Sequence, residues 1–140
     1  MGSDRGTDPT DVRSLAVRVE DVVSALEACH EGRPAVLRAT PPYHARMRAR
    51  LHVEGDGDPP SVTLHPEDLL ADGAPDRPTP DETGARLRAS DEEYSPAAHR
   101  TAHAQAVERW RERIDDHLLD RARAETPAGT HEVAVVVLGR

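Results

Sequence analysis

Nine consecutive residues, Ala45 to Val53, alternate without a break. Ala45, Met47, Ala49, Leu51 and Val53 fall on one side; Arg46, Arg48, Arg50 and His52 fall on the other. A period of two is that of a strand with one wet face. Ala, Met, Arg and Leu are helix formers, so propensity opposes the pattern here, and the pattern decides for a strand.

The same criterion orders the rest of the chain. Leu15, Val17 and Val19 alternate with polar or small residues and predict a short strand. Val22, Val23, Leu26 and Cys29 then recur at helical spacing from about Glu20, with Gly32 placed to end the helix. In that helix Cys29 is expected on the buried face. Ala35 to Thr40 reads as a second strand, stopped by Pro41 and Pro42. Glu54 to Pro60 is a turn, and Ser61 to His65 is the returning strand of a hairpin. Pro66 to Ala71 reads as one helical turn.

Thr79-Pro80-Asp81-Glu82 is a capping box with Pro at the first helical position and opens a short helix to Ser90. Ser95-Pro96 opens the longest helix, to about Arg123. Thr126 to Thr130 is a loop, and Glu132 to Leu138 is an almost wholly apolar strand. A strand apolar on both faces belongs at the centre of a covered sheet. The expected fold is α/β, more specifically α+β. It has a mixed sheet of about five strands in the order β-α-β-β-β-α-α-β, with the long C-terminal helix packed on the sheet. Residues 1–11 read as a disordered tail and 12–140 as a single domain.

Composition makes the core small. Leu, Val and Ile number 25 of 140 residues and Phe is absent, just under the ~20% level below which globular folding becomes doubtful. All 18 basic residues are Arg, which excludes a Schiff-base or phosphate-loop lysine. The one cysteine, Cys29, excludes an intrachain disulfide and a cysteine zinc cluster. The polar start, Met1-Gly-Ser-Asp-Arg5, is unlike a signal peptide, and no apolar run reaches membrane length. The expected location is the cytoplasm.

Charge then singles out one segment. Pro34 to Val53 holds four arginines and no acid, a formal +4 in a chain of net charge −8. On a strand, Arg46, Arg48 and Arg50 project in a row about 7 Å apart. Guanidinium forks in a row match a series of phosphates or carboxylates, because each binds bidentately. Arg38 and His44 lie beside them in sequence and are the supporting members. The competing arrangement is internal pairing with Glu67, Asp68 or the acidic run 91–93. Nucleic acid fits less well, because Tyr43 is the one nearby aromatic for base stacking.

A second candidate is the pair His99 and His103, one helical turn apart. An i, i+4 pair can share a divalent metal, with a third ligand drawn from His44, His52, His65 or His131. No Glu follows His99 as it would in a metalloprotease helix. Without metal, the pair could still titrate near neutrality or act as acid and base. Two functions follow. The leading one is a non-enzymatic module, without a cofactor, that presents the arginine strand to an anionic small molecule or an acidic partner protein. The alternative is a histidine- or metal-dependent enzyme centred on His99 and His103. Trp110, flanked by Arg109, Arg111 and Arg113, reads as a core anchor with a basic rim.

Several stretches taken together resemble a small acidic protein family of halophilic archaea that has no assigned function. They are Arg38-Ala-Thr-Pro-Pro42 running into Arg46-Met-Arg-Ala-Arg-Leu-His52, Tyr94-Ser-Pro96 with His99, His103 and Trp110-Arg-Glu112, and His131-Glu-Val133 to Gly139. The resemblance spans roughly residues 12–139 and implies a haloarchaeal cytoplasmic protein. It carries no activity, cofactor or catalytic residue. Zero Lys beside many carboxylates fits that origin, and a GC-rich genome, which favours Arg codons, is the competing explanation.

Overall fold

The computed structural model describes residues 6–55 and 57–139. They form two compact units, one built from the chain before Gly73 together with Leu118 onward, the other from Gly73–His117. The tail expected at the N-terminus lies partly outside the described residues; Pro9–Asp11 form a single 3-10 turn with Pro9 buried.

The first unit holds strands β1 (Ser14–Arg18), β2 (Ala35–Ala39), β3 (Arg46–Arg48), β4 (Arg50–Val53), β5 (Val62–Leu64), β6 (Arg121–Thr126) and β7 (Gly129–Leu138), with helix α1 at Val19–His30. They make one mixed sheet of seven strands in the order β3-β1-β7-β6-β5-β2-β4. β1 runs parallel to β3 and to β7, and the other pairings are antiparallel. The two edge strands, β3 and β4, are consecutive in sequence and separated by Ala49 alone. Ala49 itself is fully buried, and its N–H donates to the Ala16 carbonyl at 2.9 Å. One segment therefore serves both edges, and the sheet closes on itself through it. Side chains fill the inside of so small a ring: Leu15, Val17, Leu37, Leu64, Val133 and Val135 are all buried in one cluster, with Ala49, Ala122 and Ala124 between them.

Where the strands differ from expectation, the reasons are local. The single strand over 45–53 is two, because its halves pair with different neighbours, β1 and β2. The expected count of five becomes seven for that reason and because Arg121–Thr126 is a strand, not the end of a helix. That segment alternates exposed arginines with buried Ala122 and Ala124, a period of two written in helix-forming residues. It turns through Pro127 and Ala128, where the Thr126 hydroxyl donates to the Gly129 carbonyl and accepts from the Ala128 N–H. β7 is internal, as its apolar character requires, but it is not covered on both faces: Val133 and Val135 are buried while Val136 is 49% exposed. Helix α1 ends in a Schellman pattern, with Arg33 N–H to Ala28 O, Gly32 N–H to Cys29 O, and Gly32 at φ +86. Val22, Val23, Ala25 and Ala28 take its buried positions, and Cys29 is exposed.

The second unit is a helix pair, α2 (Pro80–Ala89) and α3 (Pro96–Asp115), packed on one another. Both caps are those expected: the Thr79 hydroxyl accepts from the Glu82 N–H and the Ser95 hydroxyl from the Ala98 N–H. The long helix stops at Asp115, eight residues short of expectation. Asp115 and Asp116 stand at its C-terminal end, where carboxylates oppose the helix dipole. Val107, Trp110 and Ile114 form its buried stripe.

Candidate functional site

The closed sheet fixes which side chains look outward. With Leu15, Leu37, Leu64, Ala122, Ala124 and Val135 turned into the core, the alternate residues of each strand face out. Arg46, Arg48 and Arg50 are all exposed. Among the described residues, none of the three has a carboxylate within 4.0 Å. Among the described residues, internal pairing with Glu67 or Asp68 is therefore absent.

Strand register adds members that sequence spacing could not show. Arg50 lies directly opposite Arg38, Arg38 opposite Thr63, and Thr63 opposite Glu125. Directly opposite residues project to the same face, so the row along β3 and β4 meets a second row across the sheet at Arg50. Two cations directly opposite are destabilising unless an anion lies between them. Arg38 is the more enclosed of the two. Its side chain is 19% exposed, its Nη1 has no hydrogen-bond partner among the described residues, and Asp58 Oδ1 stands 4.0 Å away. An enclosed guanidinium interacts more strongly with an incoming oxyanion than an exposed one does.

Asp58 is held elsewhere. Its Oδ2 accepts from the Gly55 N–H at 2.9 Å and contacts His52 Nε2 at 3.0 Å. These two bonds, the backbone one first, keep its carboxyl below the usual aspartate range. Sequence reasoning assigned this aspartate to turn chemistry, and the turn bond is present; its approach to Arg38 depends on a strand pairing invisible in sequence. His44 is exposed beside the row. Tyr43 turns inward and is buried at 4% exposure, so it offers no stacking surface beside the arginines.

His65, just past the end of β5, and Glu125 on β6 make a further pair, Nε2 to Oε2 3.1 Å apart. The Glu125 hydrogen bond raises His65 above its ordinary value, against an opposing effect of burial. A raised folded value means that this contribution to stability is complete below the unfolded value of about 6.5 and is lost as pH rises through the folded one. Glu125→Gln should therefore lower the melting temperature at about pH 5.5, and wild type and variant should converge by about pH 8. Thermal melts across that range check it.

In the helical unit, His99 and His103 both face α2. The Pro80 carbonyl accepts from His99 Nε2–H at 2.8 Å, which leaves Nδ1 to accept from the Tyr94 hydroxyl at 3.1 Å. The Thr83 hydroxyl donates to the Thr79 carbonyl, so its oxygen accepts from His103 Nδ1–H at 2.9 Å. Burial first, then the Arg77 charge and the neighbouring His99, hold His103 below its ordinary value. Both rings thus pin α3 to α2. Gly84 sits under the His99 ring, where an added Cβ would come within 3.1 Å of Cε1. A metal at His99 would displace one of its two hydrogen bonds. Among the described residues no group of three or more His, Cys, Asp or Glu is arranged to hold a metal ion.

Fold and site together define a mixed α+β protein whose closed sheet carries on its outer face arginines that are unpaired among the described residues. The chain belongs to the family described as domain of unknown function DUF8009, whose model matches residues 1–139. No curated protein and no solved structure is significantly similar to it. Among the described residues no helix is long and apolar enough to cross a membrane.

Proposed function

We propose that this is a non-enzymatic binding module of the cytoplasm, in a halophilic archaeon, that recognises an anionic partner through Arg46, Arg48 and Arg50, with Arg38 and His44 at the margins. The observation that carries the reading is that the three outward guanidinium groups have no carboxylate partner among the described residues, although the chain is acidic overall. Their pitch of about 7 Å equals the spacing of alternate side chains in an extended peptide. An acidic segment of a partner protein, with carboxylates at alternate positions, matches the row one for one. A small molecule with two oxyanion groups would use Arg50 and Arg38 alone.

Thermal stabilisation tests this. A peptide with alternating Asp should raise the melting temperature of the wild type, since a ligand that binds only the folded state stabilises it. The same peptide should leave an Arg46/Arg48/Arg50→Gln variant unmoved. Pyrophosphate provides the small-molecule arm, and stabilisation by it alone would transfer the site to Arg38 and Arg50. Asp58→Asn removes the carboxylate that stands 4.0 Å from Arg38 and is expected to tighten pyrophosphate binding about three-fold, within the range of one exposed ion pair. Titration calorimetry reads that change, and equal affinity would show that Asp58 does not compete.

A further inference from the structure

A second group of unpaired arginines lies within the helical unit, and it stands apart from the strand reading. Arg109 and Arg113 are one turn apart on α3, and Arg86 comes from the last turn of α2. All three line one cleft of about 180 Å³. Like charges at i, i+4 repel on an exposed helix face, and among the described residues no carboxylate within 4.0 Å relieves them. Asp76 and Glu82 also line the cleft, but neither pairs with an arginine. The wall is Trp110 with Pro75 and Pro78. The Trp110 indole N–H donates to the Pro75 carbonyl at 2.9 Å, which fixes the ring against the loop.

These groups differ in what they can bind. Guanidinium forks take the oxygens of a phosphate. Carboxylates only accept, so Asp76 and Glu82 suit hydroxyl donors. Proline and indole faces suit the C–H surface between the two. The cleft is smaller than the roughly 300 Å³ at which drug-sized sites begin, so the ligand is compact. We propose that this cleft binds a small hydroxylated phosphate ester, with the phosphate on Arg86, Arg109 and Arg113 and the hydroxyls on Asp76 and Glu82.

The chain has one tryptophan, so its fluorescence reports this cleft and no other. Glycerol 3-phosphate is the probe, with equilibrium dialysis reading occupancy and Trp110 emission reading location. Saturable binding with a matching emission change is expected in the wild type. An Arg109→Gln/Arg113→Gln variant should bind at least about ten-fold more weakly, as loss of two charge-assisted contacts implies. Arg86→Gln, from the other helix, should weaken binding about three-fold or more and guards against a folding defect confined to α3. Inorganic phosphate should bind more weakly than the ester, and the Arg46/Arg48/Arg50→Gln variant should bind it as the wild type does. No saturable binding up to about 10 mM, a weak limit for so small a ligand, would overturn the proposal. So would equal affinity for inorganic phosphate, or undiminished binding in both arginine variants.

Discussion

Leu37→Ala is expected to lower the free energy of unfolding by about 2–5 kcal/mol, the cost of emptying a well-packed leucine site. Leu37 is fully buried in the core of the closed sheet. It stands opposite Leu64 on one side and Leu51 on the other, so it links β5 to the strand that closes the ring. The core around it has little to move into the space. The cluster that holds it includes Ala39, Ala49, Ala122 and Ala124, whose methyl groups have no rotamers to adjust, so the cavity should close only in part and the cost remain in this range. Against a total stability of ordinarily about 5–15 kcal/mol, a loss of that size decides whether the protein folds. Urea denaturation checks it: the midpoint should fall with little change in slope. A change below about 1 kcal/mol would mean that the interior of the sheet is looser than its burial indicates.

Trp110→Ala is expected to cost about 3–5 kcal/mol. The indole is 5% exposed and belongs to the one Trp of the chain, so its loss empties a large buried site. Trp110→Phe separates two parts of that cost. Phenylalanine keeps most of the apolar area but leaves the Pro75 carbonyl without its donor, at about 1 kcal/mol for one hydrogen bond. The alanine variant should therefore be the worse by about 2 kcal/mol or more. Circular dichroism melts of the two variants give the comparison. Equal losses would place the value of Trp110 in its hydrogen bond alone.

The sequence was most legible where pattern and capping chemistry agreed. Thr79 and Ser95 announced the starts of α2 and α3 through side chains that can accept from the first-turn N–H groups. Gly32 announced the end of α1, because the left-handed turn there costs glycine nothing. The outward side of Arg46, Arg48 and Arg50 followed from alternation alone. Alternation says nothing of partners, however. It could not show that Ala49 divides the segment between β1 and β2, nor that Arg38 would lie opposite Arg50, because register is settled between strands distant in sequence. Arg121–Thr126 was missed for a different reason. Its Arg and Ala are helix formers, and they follow a long helix whose end is marked by no glycine or proline. The histidine pair was legible as a pair, but its use was not: the acceptors that engage it, the Pro80 carbonyl and the Thr83 hydroxyl, belong to another helix.

The salt dependence of binding follows from the same geometry. An attraction that depends on net charge fades as the screening length falls from about 10 Å at 0.1 M to about 3 Å at 1 M salt. Bidentate contacts between matched groups are shorter than either length and fade less. The most direct measurement is therefore calorimetric titration of the alternating-Asp peptide into wild type and into the Arg46/Arg48/Arg50→Gln variant at about 0.1 and about 1 M salt. The account predicts one-to-one binding by the wild type at both concentrations and at least a ten-fold loss in the variant at both. Equal binding by the two proteins would contradict it.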